Sequence, residues 1–192
     1  SSGKSPIIAP EVGLSTKFTG TDPSRGAASG AYAVHVLGCK VSQVEAGLLA
    51  RTLEASGLVP VLPGAPADVV VLHACTVTAR ADRDALRLLR RLRREHPAAL
   101  LAVTGCLAER DPEALARRSD VDVVAGHGAT ASLARLLDDA ASGLLPGKGA
   151  SRPSSPRDVL ASPLGAHTCP GRTRAFLKVQ DGCERRCTVC IV

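Results

Sequence analysis

The stretch ADVVVLHA (67–74) decides the fold: six of its eight residues are valine, leucine or alanine, four of them in the unbroken run VVVL (69–72), with no polar alternation. Such a run fits a strand buried on both faces rather than one with a wet side. Three more runs of the same kind lie around it, AYAVHVL (31–37), ALLAVTG (99–105) and VDVVAG (121–126). The segments between them read as amphipathic helices. One extends from about Ser42 to Ser56, with Gly57 as its C-cap, and another from about Ala81 to Glu95, with Pro97 as its stop. Shorter ones are expected after Asp111-Pro112 and after Thr130, the latter ending near Gly143. Buried strands separated by single helices predict an α/β domain with a doubly wound parallel sheet over about residues 31–142.

The rest of the chain lacks this rhythm. Residues 1–30 are rich in Ser, Gly and Pro and read as a disordered lead-in. Residues 143–172 have a similar composition and read as a linker, after which RAFLKVQDGC opens a second domain over 173–192. The chain begins at serine and holds no methionine, so its start is expected to be a processed or trimmed end, or that of a partial gene. No apolar run approaches the roughly 18 to 20 residues of a spanning helix, which predicts a soluble, cytoplasmic protein with no membrane partner.

A net charge of +6, carried mainly by arginine, favours a polyanionic partner such as nucleic acid. Aromatic residues make up only 2%, so the stacking platforms of a single-strand reader are missing. The second helix places Ala85, Leu88, Leu89 and Leu92 on one face. Arg83, Arg87, Arg90, Arg91 and Arg94 fall largely on the other, a stripe that suits phosphates or simply a solvated outer face.

Seven cysteines without an export signal point to metal or redox chemistry rather than disulfides. Cys39, Cys75 and Cys106 each end a strand, in VLGCK, LHACT and VTGCL. In an open parallel sheet the strands' carboxyl ends share one edge, so the three converge although 36 and 31 residues separate them. Buried cysteine is often mere packing. Three in consecutive βα turns, two of them preceded by glycine, favour one thiolate site. A closed structural zinc site takes four ligands, whereas a 4Fe-4S cluster on three thiolates leaves one iron open. CERRCTVC (183–190) offers a second, local triplet, Cys183, Cys187 and Cys190, also suited to a 4Fe-4S cluster, with a zinc knuckle as the competing reading. Cys169 remains as a non-ligand in the linker.

GCKVSQVEA (38–46), CTVTARAD (75–82), TGCLAE (104–109) and VQDGCERRCTVC (179–190) resemble, in order and spacing, the methylthiotransferase branch of the radical SAM enzymes. The first motif is most similar to the branch acting on N6-threonylcarbamoyladenosine of tRNA. The resemblance implies a cluster on Cys183, Cys187 and Cys190 that binds S-adenosyl-L-methionine and generates a 5′-deoxyadenosyl radical, which takes hydrogen from carbon 2 of the adenine. It implies a second cluster, on Cys39, Cys75 and Cys106, that presents the sulfur to be inserted. It further implies the anticodon loop of tRNA as partner and an electron donor such as flavodoxin or ferredoxin. Ser42, Val44, His73-Ala74 and Val189 depart from the family's usual residues. The barrel body is missing, so the 192 residues are expected to be an N-terminal fragment, inactive by itself. The alternatives are a non-catalytic iron-sulfur or electron-transfer module, and an RNA-binding module whose cysteines only pack.

Overall fold

The computed structural model describes residues 30–62, 64–76, 78–126, 133, 137, 150–152, 165–168, 175–178 and 188. Its elements run β1 (Ala31–Leu37), α1 (Lys40–Ala55), β2 (Val59–Pro60), β3 (Val69–Ala74), α2 (Ala79–Glu95) and β4 (Leu100–Thr104). They continue with α3 (Cys106–Arg110), α4 (Pro112–Ala116), β5 (Val123–Ala125), β6 (Ala150–Arg152), β7 (Gly165–Thr168) and β8 (Ala175–Lys178). The first six strands form one sheet in the order β2-β1-β3-β4-β5-β6, every pair parallel. The expected α/β architecture is therefore present.

Alternation along the strands builds two cores, one on each side of the sheet. Val70, Leu72 and Ala74 of β3 join Leu101 and Val103 of β4 beneath Ala85, Leu89 and Leu92 of α2. Val71 and Ala102 point the other way and meet Leu49 and Leu53 of α1. The helices thus cover opposite faces, which is why the strands carry no polar side. Leu133 and Leu137, four residues apart, are helical and buried against the α1 side. The rest of the helix expected after Thr130 lies outside the described residues.

The helix ends follow local chemistry. Gly57, at φ +91°, closes α1: its N–H donates to Glu54 O at 2.9 Å and Leu58 N–H to Leu53 O at 3.1 Å, the paired bonds of a Schellman motif. Thr78 caps α2 by accepting from Ala81 N–H at 3.1 Å, which starts this helix two residues before the expected position. Asp111 caps α4 in the same way, accepting from Ala114 N–H at 3.2 Å with Pro112 in the first turn.

Three strands lie where the sequence reading places none. β2 is a two-residue edge piece containing Pro60, too short to show periodicity. β6 pairs with β5 from within the segment read as a linker, and β7 pairs antiparallel with β8 across that segment's end. Backbone pairing alone identifies ASR (150–152) and GAHT (165–168), whose small and polar side chains carry no apolar pattern. Among the described residues no helix is long and apolar enough to cross a membrane.

Candidate metal centre

Between β1 and β3 the chain reverses its direction of travel across the sheet: β2 lies on one side of β1, and β3, β4 and β5 follow on the other. Such a switch point opens a crevice at the carboxyl ends of its strands. Cys39 follows β1 and Cys75 follows β3, so the two flank the switch point, while Cys106 follows the neighbouring β4. The three cysteines thus follow three adjacent strands at one edge of the sheet.

The turns are close-packed. Cys75 N–H donates to Leu37 O at 2.7 Å, tying the end of β3 to the end of β1. A Cβ on Gly38 would stand 2.6 Å from Cys75 Cβ and 2.5 Å from Ser42 Oγ, so glycine is what lets these turns touch. A Cβ on Gly105, at φ +93°, would stand 2.7 Å from Ala74 O. Glycine at both positions therefore holds the cysteines' backbones together.

The three thiols occupy different surroundings. Cys39 is exposed at the N-cap of α1, its Sγ 3.7 Å from Ser42 Oγ. Partial burial pushes its pKa up, but hydrogen bonds from the Ser42 backbone and hydroxyl and from Val41 N–H outweigh this and leave it lowered. Cys75 is buried and Cys106 half-buried, with their side chains within hydrogen-bonding reach of each other. Burial, then the neighbouring Cys75 and the Glu45 carboxylate, push the Cys106 thiol up to about 11.

Two polar groupings surround the thiols, and neither was found from sequence. On the α1 side, His73 Nε2 meets Glu45 Oε2 at 3.2 Å, with the His73 side chain 3% exposed. In register with His73, Thr104 is fully buried, and among the described residues its Oγ1 has no hydrogen-bond partner. On the α2 side, Thr76 donates to Asp82, and Arg110 bonds both Thr76 and Asp82, the latter at 2.8 Å. This second grouping clamps the turn after Cys75 to the end of the helix that Cys106 begins. Glu45, Asp82 and the residue pair His73-Ala74 stand inside the quoted motifs or beside them, but their partners are 28 residues away, beyond any local signal.

Three soft thiolates suit iron in a sulfide cluster or a thiophilic metal. Among the described residues no three His, Cys, Asp or Glu side chains are gathered closely enough to hold one metal ion. A cube of four irons makes a different demand, since each thiolate binds a separate iron and the ligands stand further apart. Cys183, Cys187, Cys190 and Cys169 lie outside the described residues, so the second triplet has no described geometry.

Residues 31–126 match the model of Uncharacterized protein family UPF0004, a span that holds Cys39, Cys75 and Cys106. Threonylcarbamoyladenosine tRNA methylthiotransferase MtaB of Bacillus subtilis is 32% identical over 160 residues, covering 83% of this chain and 35% of that protein. tRNA-2-methylthio-N(6)-dimethylallyladenosine synthase of Sphingopyxis alaskensis is 33% identical over 163 residues, covering 84% of this chain and 36% of the relative. Ribosomal protein uS12 methylthiotransferase RimO of Anaeromyxobacter is 31% identical over 163 residues, 83% of this chain and 34% of its own. The chain spans about a third of the length of the curated relatives it matches.

Proposed function

This chain belongs to the methylthiotransferase family, matching the N-terminal part of its members, and on that premise we propose that it serves methylthiolation at carbon 2 of the adenine in N6-threonylcarbamoyladenosine, next to the anticodon of tRNA. The observation that carries the reading is the placing of Cys39, Cys75 and Cys106 on three adjacent strand ends at the switch point. Relatives of three substrate classes match at similar identity. The choice among them rests on GCKVSQVEA (38–46).

In this proposal Cys39, Cys75 and Cys106 hold one 4Fe-4S cluster and Cys183, Cys187 and Cys190 hold a second, at which S-adenosyl-L-methionine binds. The clusters, when bound, supply sulfur for insertion and the electron for radical formation, the latter drawn from a donor such as flavodoxin or ferredoxin. The chain's own residues position and shield. Gly38 and Gly105 let the cysteine turns approach, and the Thr76–Asp82–Arg110 grouping fixes the Cys75 turn against α3. Cys75 sits away from solvent while Cys39 faces it, so the open side of the site lies toward Cys39. A tRNA substrate puts the protein in the cytoplasm.

The test is nucleoside analysis by mass spectrometry of tRNA from cells that lack this modification and express the full-length protein containing this chain. The methylthio derivative of threonylcarbamoyladenosine is expected, and its loss with Cys39→Ala. A methylthio group on dimethylallyladenosine, or on a ribosomal protein only, would overturn the substrate assignment. No methylthiolation of any kind would overturn the function.

A further inference from the structure

The outer face of α2 plays no part in the cysteine site, yet its charge is organised. Arg83, Arg87, Arg90 and Arg94 recur at spacings of four, three and four, which puts them in one line along about 17 Å of helix. All four are exposed. This line sets Arg83 against Arg87, Arg87 against Arg90 and Arg90 against Arg94, and like charges at these spacings weaken a helix. A solvated face selected for stability interleaves acids at these spacings. Here Asp82 is turned away to Thr76 and Arg110. Asp84 and Glu95 pair with Arg80, Arg87 and Arg91 along the flanks. Among the described residues Arg83, Arg90 and Arg94 make no ion pair.

The line continues off the helix. Arg90 also lines an open cleft of about 490 Å³ with Arg117, Arg118, Ser119 and Asp120. Arg118 is committed to Asp120 through contacts of 2.8 and 2.7 Å. Arg117 is 72% exposed and, among the described residues, pairs with Glu113 at 3.7 Å. Arg90 and Arg117 therefore face the cleft with cationic charge to spare. Because Arg93 is turned inward to Asp122 and to the carbonyls of Pro97 and Ala99, the exposed arginines are those that a ligand from outside would meet.

We propose that this face of α2, together with the Arg90–Arg117 cleft, is a docking surface for the phosphate backbone of a base-paired RNA stem. Arginine's fork suits phosphate oxygens, and the 2% aromatic content leaves no stacking surface for unpaired bases, so a stem is favoured over a loop. The inference draws its partner from the proposed tRNA function, but the surface lies on the opposite side of the sheet from α1 and does not depend on any cluster.

The test is fluorescence anisotropy of a labelled RNA hairpin with the 192-residue chain across a salt series. Arg83→Gln, Arg87→Gln, Arg90→Gln and Arg94→Gln combined keep good helix formers and remove four charges. Arg51→Gln, on the exposed side of α1, is the control, and circular dichroism confirms that each variant is folded. The quadruple variant is expected to bind on the order of a hundredfold more weakly at 0.1 M salt and to lower the slope of log K against log salt by about 3. The control is expected to leave the slope unchanged, short of the roughly 0.9 that one lost phosphate contact would remove. No RNA binding by the parent, an unchanged slope in the quadruple variant, or an equal loss per charge with Arg51→Gln would overturn the proposal. Failure here leaves the iron content on Cys39, Cys75 and Cys106 untouched. Failure to bind iron would not move the salt slope, so the two readings fall separately.

Discussion

Replacing Gly105 by alanine tests whether the cysteine turns are held together by backbone contact. Gly105 sits at φ +93°, ψ −168°, a region essentially reserved for glycine, and its added Cβ would lie 2.7 Å from Ala74 O and 3.1 Å from Ala74 N. Those atoms belong to the last residue of β3 and cannot swing aside as a side-chain tip could. The backbone region costs about 1–3 kcal/mol and the forced contact a similar amount, so Gly105→Ala is expected to lose about 2–5 kcal/mol. With an m-value of about 2 kcal/mol/M in urea, the midpoint of the reduced, metal-free chain falls by about 1–2.5 M. Gly47→Ala is the matched control: nothing lies within 4 Å of its Cβ, and it stands inside α1. It should stabilise by about 0.5–1 kcal/mol. Because the relief of the clash must push β4's end away from β3's, Gly105→Ala should also part Cys106 from Cys75. A stability within about 0.5 kcal/mol of the parent, with Gly47→Ala behaving as stated, would refute the close-approach argument.

Other consequences can be read by simpler assays. In the metal-free chain Cys39, exposed and with a lowered pKa, should be alkylated by iodoacetamide well before Cys106, whose thiol stands at about 11; peptide mapping that found the reverse order would contradict the site's electrostatics. Asp122 accepts from Leu101 N–H at 2.8 Å and pairs with Arg93, so Asp122→Ala should cost about 2–3 kcal/mol in urea denaturation, and a loss under about 0.5 kcal/mol would contradict that role. Burial raises the Asp82 carboxyl, but Thr76 and Arg110 outweigh it and hold the pKa below the ordinary 3.8. Its stabilising contribution is therefore present above 3.8 and lost as pH falls through the depressed value; the stability gap between parent and Asp82→Asn should close on acidification, and a gap that widened would have the wrong sign.

The sequence was most legible where a single segment carries its own signal. Apolar runs mark β1, β3, β4 and β5, and β3, β4 and β5, buried on both faces, need no alternation. Gly57, Pro97 and Asp111 punctuate helices by fixed local geometry, and each stands where the structure ends or begins one. β2 and β6 were illegible because two or three residues paired at a sheet edge need only backbone groups. At the site, Cys39, Cys75 and Cys106 could be placed together because strand polarity fixes where βα turns lie. Glu45 with His73, and Asp82 with Arg110, could not, since each pair joins residues 28 apart from different elements. The start of α1 at Lys40, earlier than the expected Ser42, follows from Cys39 being the cap residue, a position where cysteine gives no recognisable signal.

The most direct test of the central claim is iron and acid-labile sulfide per chain after anaerobic reconstitution, in the parent and in the Cys39→Ala/Cys75→Ala/Cys106→Ala variant. The account predicts that the variant loses about four irons and about four sulfides relative to the parent. A variant that retains all the parent's iron, or a parent that takes up only zinc or no metal, would contradict it.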